Sequence, residues 1–283
     1  MWKYKHKRFK NHVGAFGKGP PVFLKNKAQN NVIVKEKRDE VLATMPKEER
    51  HKWFRSMKSS QALTQSVFGN LIVLKKLELL KNIKRNNKPL FFDGHKKVTL
   101  EYKVDYLKEE RSTRVDVFFD GPHGVAVECK LTEREIGPCS TGVKKEHGCD
   151  GSYSEDTCWK TKNGVQYWKH VPELFRWTKQ EYYEECPLLL NYQLIRNVLA
   201  ACVKDGKASP KNGHAVLLYD ESNPEFQECG KARKSFNDVR SHLKPGCGQI
   251  LQECTWQEVM KALREGSELN WLTDEIYEKY GIK

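Results

Sequence analysis

A hairpin signal over Arg114 to Thr132 constrains this chain more than any other stretch. Two runs rich in β-branched and aromatic residues, Val115 to Phe119 and Val125 to Leu131, flank Asp120-Gly121-Pro122-His123-Gly124, which has turn chemistry. A turn centred on Pro122 sets Asp116 across from Glu128, with Lys130 following on the same face because strand side chains alternate. The same alternation predicts an opposite, apolar face of Val115, Val117, Phe119, Val125 and Val127. Two carboxylates opposed across a ladder repel unless a cation lies between them, and ligands that are all oxygen suit magnesium or manganese over zinc. A half-exposed hairpin with ordinary surface charges is the competing reading.

Composition narrows the partner class. The net charge is +13, from 50 Lys and Arg against 37 Asp and Glu, which points the surface towards polyanions, nucleic acid first. Hydrophobic residues make up 38% of 283, enough for a substantial core. Lys or Glu interrupts every apolar run before it reaches membrane-spanning length, so no membrane association is expected. The opening residues MWKYKHKRFK carry charge without the apolar core of a secretory signal. The expectation is therefore a cytoplasmic protein whose nine cysteines are thiols or metal ligands, not disulfides.

Residues 1 to about 33 combine Lys3, Lys5, Lys7, Arg8, Lys10 and Lys18 with Gly14, Gly17, Gly19, Pro20 and Pro21. Such a stretch reads as an N-terminal arm, and Trp2, Tyr4, Phe9, Phe16 and Phe23 suit base stacking between phosphate contacts; packing on its own domain is the alternative. Residues 34–283 read as a single domain, with a core over about 55–225, a cysteine-containing insertion over about 133–186 and a helical part over 225–283. Within it, helices are predicted over Val34–Leu42 and Lys47–Met57. Ser59 or Ser60 then caps a longer helix with an apolar stripe from Ala62 to Leu80. Lys97 to Tyr106 alternates like a strand ahead of the hairpin. Tyr167 to Trp177 has the aromatic spacing of a packed helix, and Leu188–Val203 is amphipathic, its apolar face interrupted by Gln193, Arg196 and Asn197 on one side. A strand over His214–Tyr219, a helix over Glu225–Leu243, a strand over Gln249–Cys254 and helices over Trp256–Arg264 and Leu269–Tyr280 complete the series.

The insertion holds Cys139, Cys149 and Cys158, with Cys186 further on before a proline. A loop of that length is normally disordered or tied down, and four cysteines are able to tie it by binding zinc. No C-x-x-C pair is present, so an iron–sulfur cluster and inert thiols remain open, with His147 and His170 as substitutes for one sulfur.

The order helix, three strands, insertion, helix, strand, with Asp116 and Glu128-Cys129-Lys130 on the second and third strands, resembles the PD-(D/E)XK nuclease superfamily. Within it the chain is similar to a group of restriction endonuclease-like proteins, through Ser59-Ser60-Gln61-Ala62, Phe68-Gly69 and Tyr192-Gln193-Leu194-Ile195-Arg196-Asn197. The resemblance covers roughly residues 55 to 225 and implies an α/β (α+β) fold with a mixed sheet of about four to five strands flanked by helices. It implies that Asp116 and Glu128 bind magnesium, that Lys130 sits by the attacking water, and that Gln193 and Arg196 support the site. Val115 stands where the superfamily usually has Pro. Where many relatives carry an additional Glu, this chain offers Gln61, Glu78 or Glu101, which leaves the number of metals open. Arg114 adds positive charge near the strand end and either meets a phosphate or is a solvated edge residue.

The expected activity is metal-dependent hydrolysis of DNA phosphodiesters. Double-strand cleavage by two active sites would make the chain a homodimer. Two other readings compete: a non-catalytic nucleic-acid-binding module on the same scaffold, and a zinc-stabilised structural or interaction protein.

Overall fold

The computed structural model describes residues 1–9, 13–15 (backbone only), 21–91, 94–109 and 113–283. Five strands form one mixed sheet: β1 Lys97–Val104, β2 Thr113–Asp120, β3 Gly124–Cys129, β4 Gly213–Tyr219 and β5 Leu251–Thr255. They lie in the order β5-β4-β3-β2-β1. The β1–β2 and β2–β3 pairs are antiparallel, and β3–β4 and β4–β5 are parallel. Parallel neighbours need crossovers, which place helices on the faces of the sheet. One apolar cluster joins the sheet to Tyr167–Leu174, Tyr192–Cys202 and Lys231–Ser241, and the other joins it to the helical run from Ser60 to Val73, to Trp256–Glu265 and to Asn270–Tyr280. With both faces covered, all six residues of β3 are buried.

The hairpin register pairs Val117 with Val127 and Phe119 with Val125, which centres the turn on Pro122. Its faces differ from simple alternation. Val117, Phe119, Val125 and Val127 belong to one cluster, whereas Val115 joins Phe118 and Ala126 in the other. The change of face falls at Asp116, beside Glu101 of β1, whose φ of 51° breaks the extended strand. No residue is inserted, since the β1–β2 register is the same on both sides; the left-handed backbone at Glu101 itself interrupts the alternation.

Ser59 caps the next helix through its hydroxyl, which accepts from the Ala62 N–H at 3.2 Å. That helix runs Ser60–Thr64, widens into a π turn over Gln65–Gly69 and continues over Asn70–Val73. Gly69 sits where a Cβ would stand 2.9 Å from Thr44 Oγ1, so its lack of a side chain lets the Arg38–Ala43 helix approach. Residues 34–37 lie outside that helix, a correction to the predicted start at Val34. Lys47–Met57 is also not a helix beyond a single turn at Lys47–Glu49. Asn31 Nδ2 donates to the carbonyls of Phe54 (2.6 Å) and Ser56 (2.7 Å), and the Phe23 N–H donates to Arg55 O, so distant partners take the groups a helix would use.

The described part of the N-terminal segment packs on the domain. Tyr4 and Phe23 are buried with Met57, and Tyr4 Oη donates to Glu275 Oε2 at 2.8 Å. Lys10, Phe16, Gly17, Lys18, Gly19 and Pro20 lie outside the described residues. Among the described residues, no helix is long and apolar enough to cross a membrane.

Candidate active site

Three acids stand in one row across three strands. The register on either side sets Glu101 of β1 opposite Asp116 of β2, and continuing the β2–β3 register one step past its last pair, Val117–Val127, brings Asp116 to Glu128 of β3. Together with Lys130, Gln193 and Arg196 they line one cleft of about 470 Å³. Gln61 and Arg114 line it as well, whereas Glu78, on the Leu77–Asn82 turn, does not. Of the two upstream acids the sequence offers, Glu101 is the one that lines the cleft.

Glu128, 3% exposed, is the most heavily bonded of the three. Lys130 Nζ reaches its Oε1 at 2.7 Å. Asn197 Nδ2 donates to its Oε2 at 2.6 Å, and the Arg196 guanidinium approaches the same oxygen at 3.3 Å. Lys130 also donates to Gln193 Oε1 at 2.9 Å, and Arg196 to Thr113 Oγ1 at 2.6 Å. Gln193, Arg196 and Asn197 come from one helix, Tyr192–Cys202, because positions three and four apart share a face. Asp116 Oδ2 accepts from the Cys129 N–H at 2.7 Å. Gln61 Nε2 donates to Glu101 Oε1 at 2.7 Å, and Arg114 pairs with Glu49 at 2.6 Å.

These surroundings divide the acids. Burial pushes the Asp116 carboxyl well above its ordinary range, and the neighbouring charges of Glu128 and Glu101 add to the push. Burial likewise raises Glu101 to about 7, against the hydrogen bond from Gln61. Burial opposes ionisation of Glu128 too, but the charges of Lys130 and Arg196 outweigh it and hold this carboxyl below its usual value. For Lys130, burial disfavours the charge, yet Glu128, Glu133 and Asp116 more than compensate, and the ammonium is held above its ordinary value. The cleft thus contains one fixed carboxylate–ammonium pair and two carboxyls that resist ionisation.

A hard divalent cation suits this donor chemistry. The donors are oxygens, and Asp116 and Glu101 are crowded by burial and like charge, which a cation relieves. The spacing is not yet that of a filled site: among the described residues, no three His, Cys, Asp or Glu side chains already stand as a metal-ligating group. Lys130 supplies the positive charge on Glu128 Oε1 in this state.

The sequence reading did not find Glu133 or Gly137. Glu133 lines the cleft, accepts from Ser60 Oγ at 2.6 Å and caps the Leu131 N–H at 2.6 Å. Gly137 has φ 140°, and a Cβ there would collide with the Gln193 amide. Neither residue belongs to a spacing pattern; both act through contacts that only the folded chain creates.

The family model REase-ARP, described as restriction endonuclease associating with ARP, matches residues 2–281. The chain belongs to this family. Its core is accordingly restriction-endonuclease-like, in agreement with the five-stranded mixed sheet and its flanking helices. No curated protein and no solved structure matches it. The REase-ARP match extends well beyond the central motifs and includes both the cysteine-bearing insertion and the closing helices.

Proposed function

We propose that this chain is a metal-dependent endonuclease that hydrolyses DNA phosphodiester bonds in the Asp116–Glu128–Lys130 cleft. The observation that carries the reading is the cross-strand row of Glu101, Asp116 and Glu128 lining the same cleft as a buried ammonium. Asp116 and Glu128, with Glu101 beside them, would hold magnesium or manganese, which when bound supplies positive charge to a phosphate and acidifies water.

The chain's own residues do the rest. Lys130 keeps its proton, so it acts as a fixed positive charge facing an attacked phosphate and not as a general base. Gln193 holds the ammonium in place through Oε1, and Arg196 and Asn197 hold Glu128. Without a cation Glu101 is raised to about 7, and a cation bound beside it would favour its charged form.

A groove of about 610 Å³ shares Arg50 and His51 with the cleft. It is lined by Lys25, Lys47, Lys52 and Arg55, with no acid, and by Trp53, which is 53% exposed. Lysines beside an open indole suit a nucleic-acid backbone whose bases stack. The groove therefore supports a polyanionic substrate reaching the cleft.

The test is incubation of supercoiled plasmid with purified protein in magnesium, manganese or EDTA. Nicking that requires the cation and is lost in Asp116→Asn is expected. Cleavage by Lys130→Ala at the wild-type rate would refute the assignment. A binding module on the same scaffold is favoured by one observation, the complete pairing of Glu128 with the chain's own cations. That reading requires salt-dependent plasmid binding without nicking in any metal.

A further inference from the structure

The insertion brings together four thiols that lie far apart in sequence. Cys139, Cys149, Cys158 and Cys186 all line one small cavity of about 30 Å³, and all four are free. Cys129, Cys202, Cys247 and Cys254 are buried in the main apolar clusters and Cys229 is exposed, whereas the four cavity thiols are half-buried, Cys139, Cys158 and Cys186 packing against one of those clusters.

The backbone around the cavity is closely tied. The Cys139 N–H donates to Leu189 O at 2.7 Å and the Cys186 N–H to Gly151 O at 2.8 Å. Tyr153 and Tyr183 exchange backbone hydrogen bonds at 2.8 and 2.9 Å, joining the two halves of the insertion. The two candidate substitutes are occupied elsewhere. His147 stacks on Trp159 at 4.5 Å and His170 lies 3.5 Å from Glu173, and neither lines the cavity.

We propose that Cys139, Cys149, Cys158 and Cys186 form a tetrathiolate site for one zinc ion. Four sulfur donors with no exchangeable ligand make a closed, structural site. Because no three of these side chains already stand at ligating spacing, uptake draws the sulfurs inward to about 2.3 Å from the metal and stiffens residues 133–186. The site lies on both flanks of Gln193. Gly137 O, two residues before Cys139, accepts the Gln193 N–H at 3.0 Å, and Leu189 O holds Cys139 from the other side. Zinc here fixes the start of the helix that carries Gln193, Arg196 and Asn197 and is a positioning element, independent of whether the cleft cuts DNA.

Elemental analysis of the purified full chain tests the proposal. One zinc per chain is expected, lost in the Cys158→Ser/Cys186→Ser double variant and retained in Cys229→Ser. A second measurement does not depend on the variants folding. Stepwise modification of the wild-type thiols should release zinc as four sulfurs react, and cobalt(II) should replace it with the intense visible absorption of tetrahedral thiolate coordination. A metal-free chain that binds neither ion, iron with acid-labile sulfide, or a disulfide between any two of the four would overturn it.

Discussion

Lys130 Nζ lies 2.7 Å from Glu128 Oε1 and donates to Gln193 Oε1 at 2.9 Å, so strand and helix meet on one ammonium. The ammonium is buried and remains charged because carboxylates surround it. Replacing it with a side chain of similar volume, Lys130→Met, removes charge with little change in packing. Cleavage is expected to fall by about 100-fold or more, the scale of losing one preorganised electrostatic contact. Plasmid nicking rates, with a thermal melt as the folding control, check this.

Glu128 is a different case, because its removal strands other charges. In Glu128→Ala both Arg196 and Lys130 remain buried without the partner, and a loss of about 3–5 kcal/mol in stability is expected. Glu128→Gln keeps the shape and should cost less, about 1–3 kcal/mol. Urea unfolding of the two variants measures the difference. Activity tests of the metal-binding role should therefore use Asp116→Asn and Glu128→Gln, since an alanine here confounds chemistry with folding.

Glu101 gives the site a pH dependence with a definite sign. Its carboxyl is raised to about 7 in the folded chain, from an ordinary value of 4.5. Between those values the native state holds a proton that the unfolded chain releases, so this group's contribution to stability declines as pH rises from about 4.5 to about 7. Glu101→Gln removes the contribution. Unfolding free energies of wild type and variant across that window should differ in slope, the wild type declining more steeply towards neutral pH.

Much of this site was legible because the chemistry is local to one hairpin. Turn residues around Pro122 fix the register, and Asp116, Glu128 and Lys130 follow from it by counting. The helical face of Gln193, Arg196 and Asn197 follows from helix geometry in the same way. Long-range capture was not legible. Lys47–Met57 has helical spacing, yet the side chain of Asn31 and the backbone of Phe23 claim its carbonyls. The face change at Asp116 depends on the left-handed conformation of Glu101, which nothing in its neighbours announces. Gly137 reads as an ordinary loop glycine until the Gln193 side chain is seen where its Cβ would be.

That contact yields the most specific test of the support around Lys130. Gly137→Ala introduces a methyl group into the Gln193 amide, at a backbone φ of 140° that an L residue rarely adopts. Gln193 has to move, and its oxygen leaves the ammonium it holds at 2.9 Å. Cleavage in Gly137→Ala should fall by about 10-fold, one hydrogen bond's worth of positioning. The same change made in a Gln193→Ala background should lower the rate little further, because the displaced group is already gone. A double-mutant cycle on the nicking rate measures that coupling. Independent, additive losses in the two variants would show that Gly137 acts through backbone strain alone and that Gln193 does not hold Lys130 for the reaction.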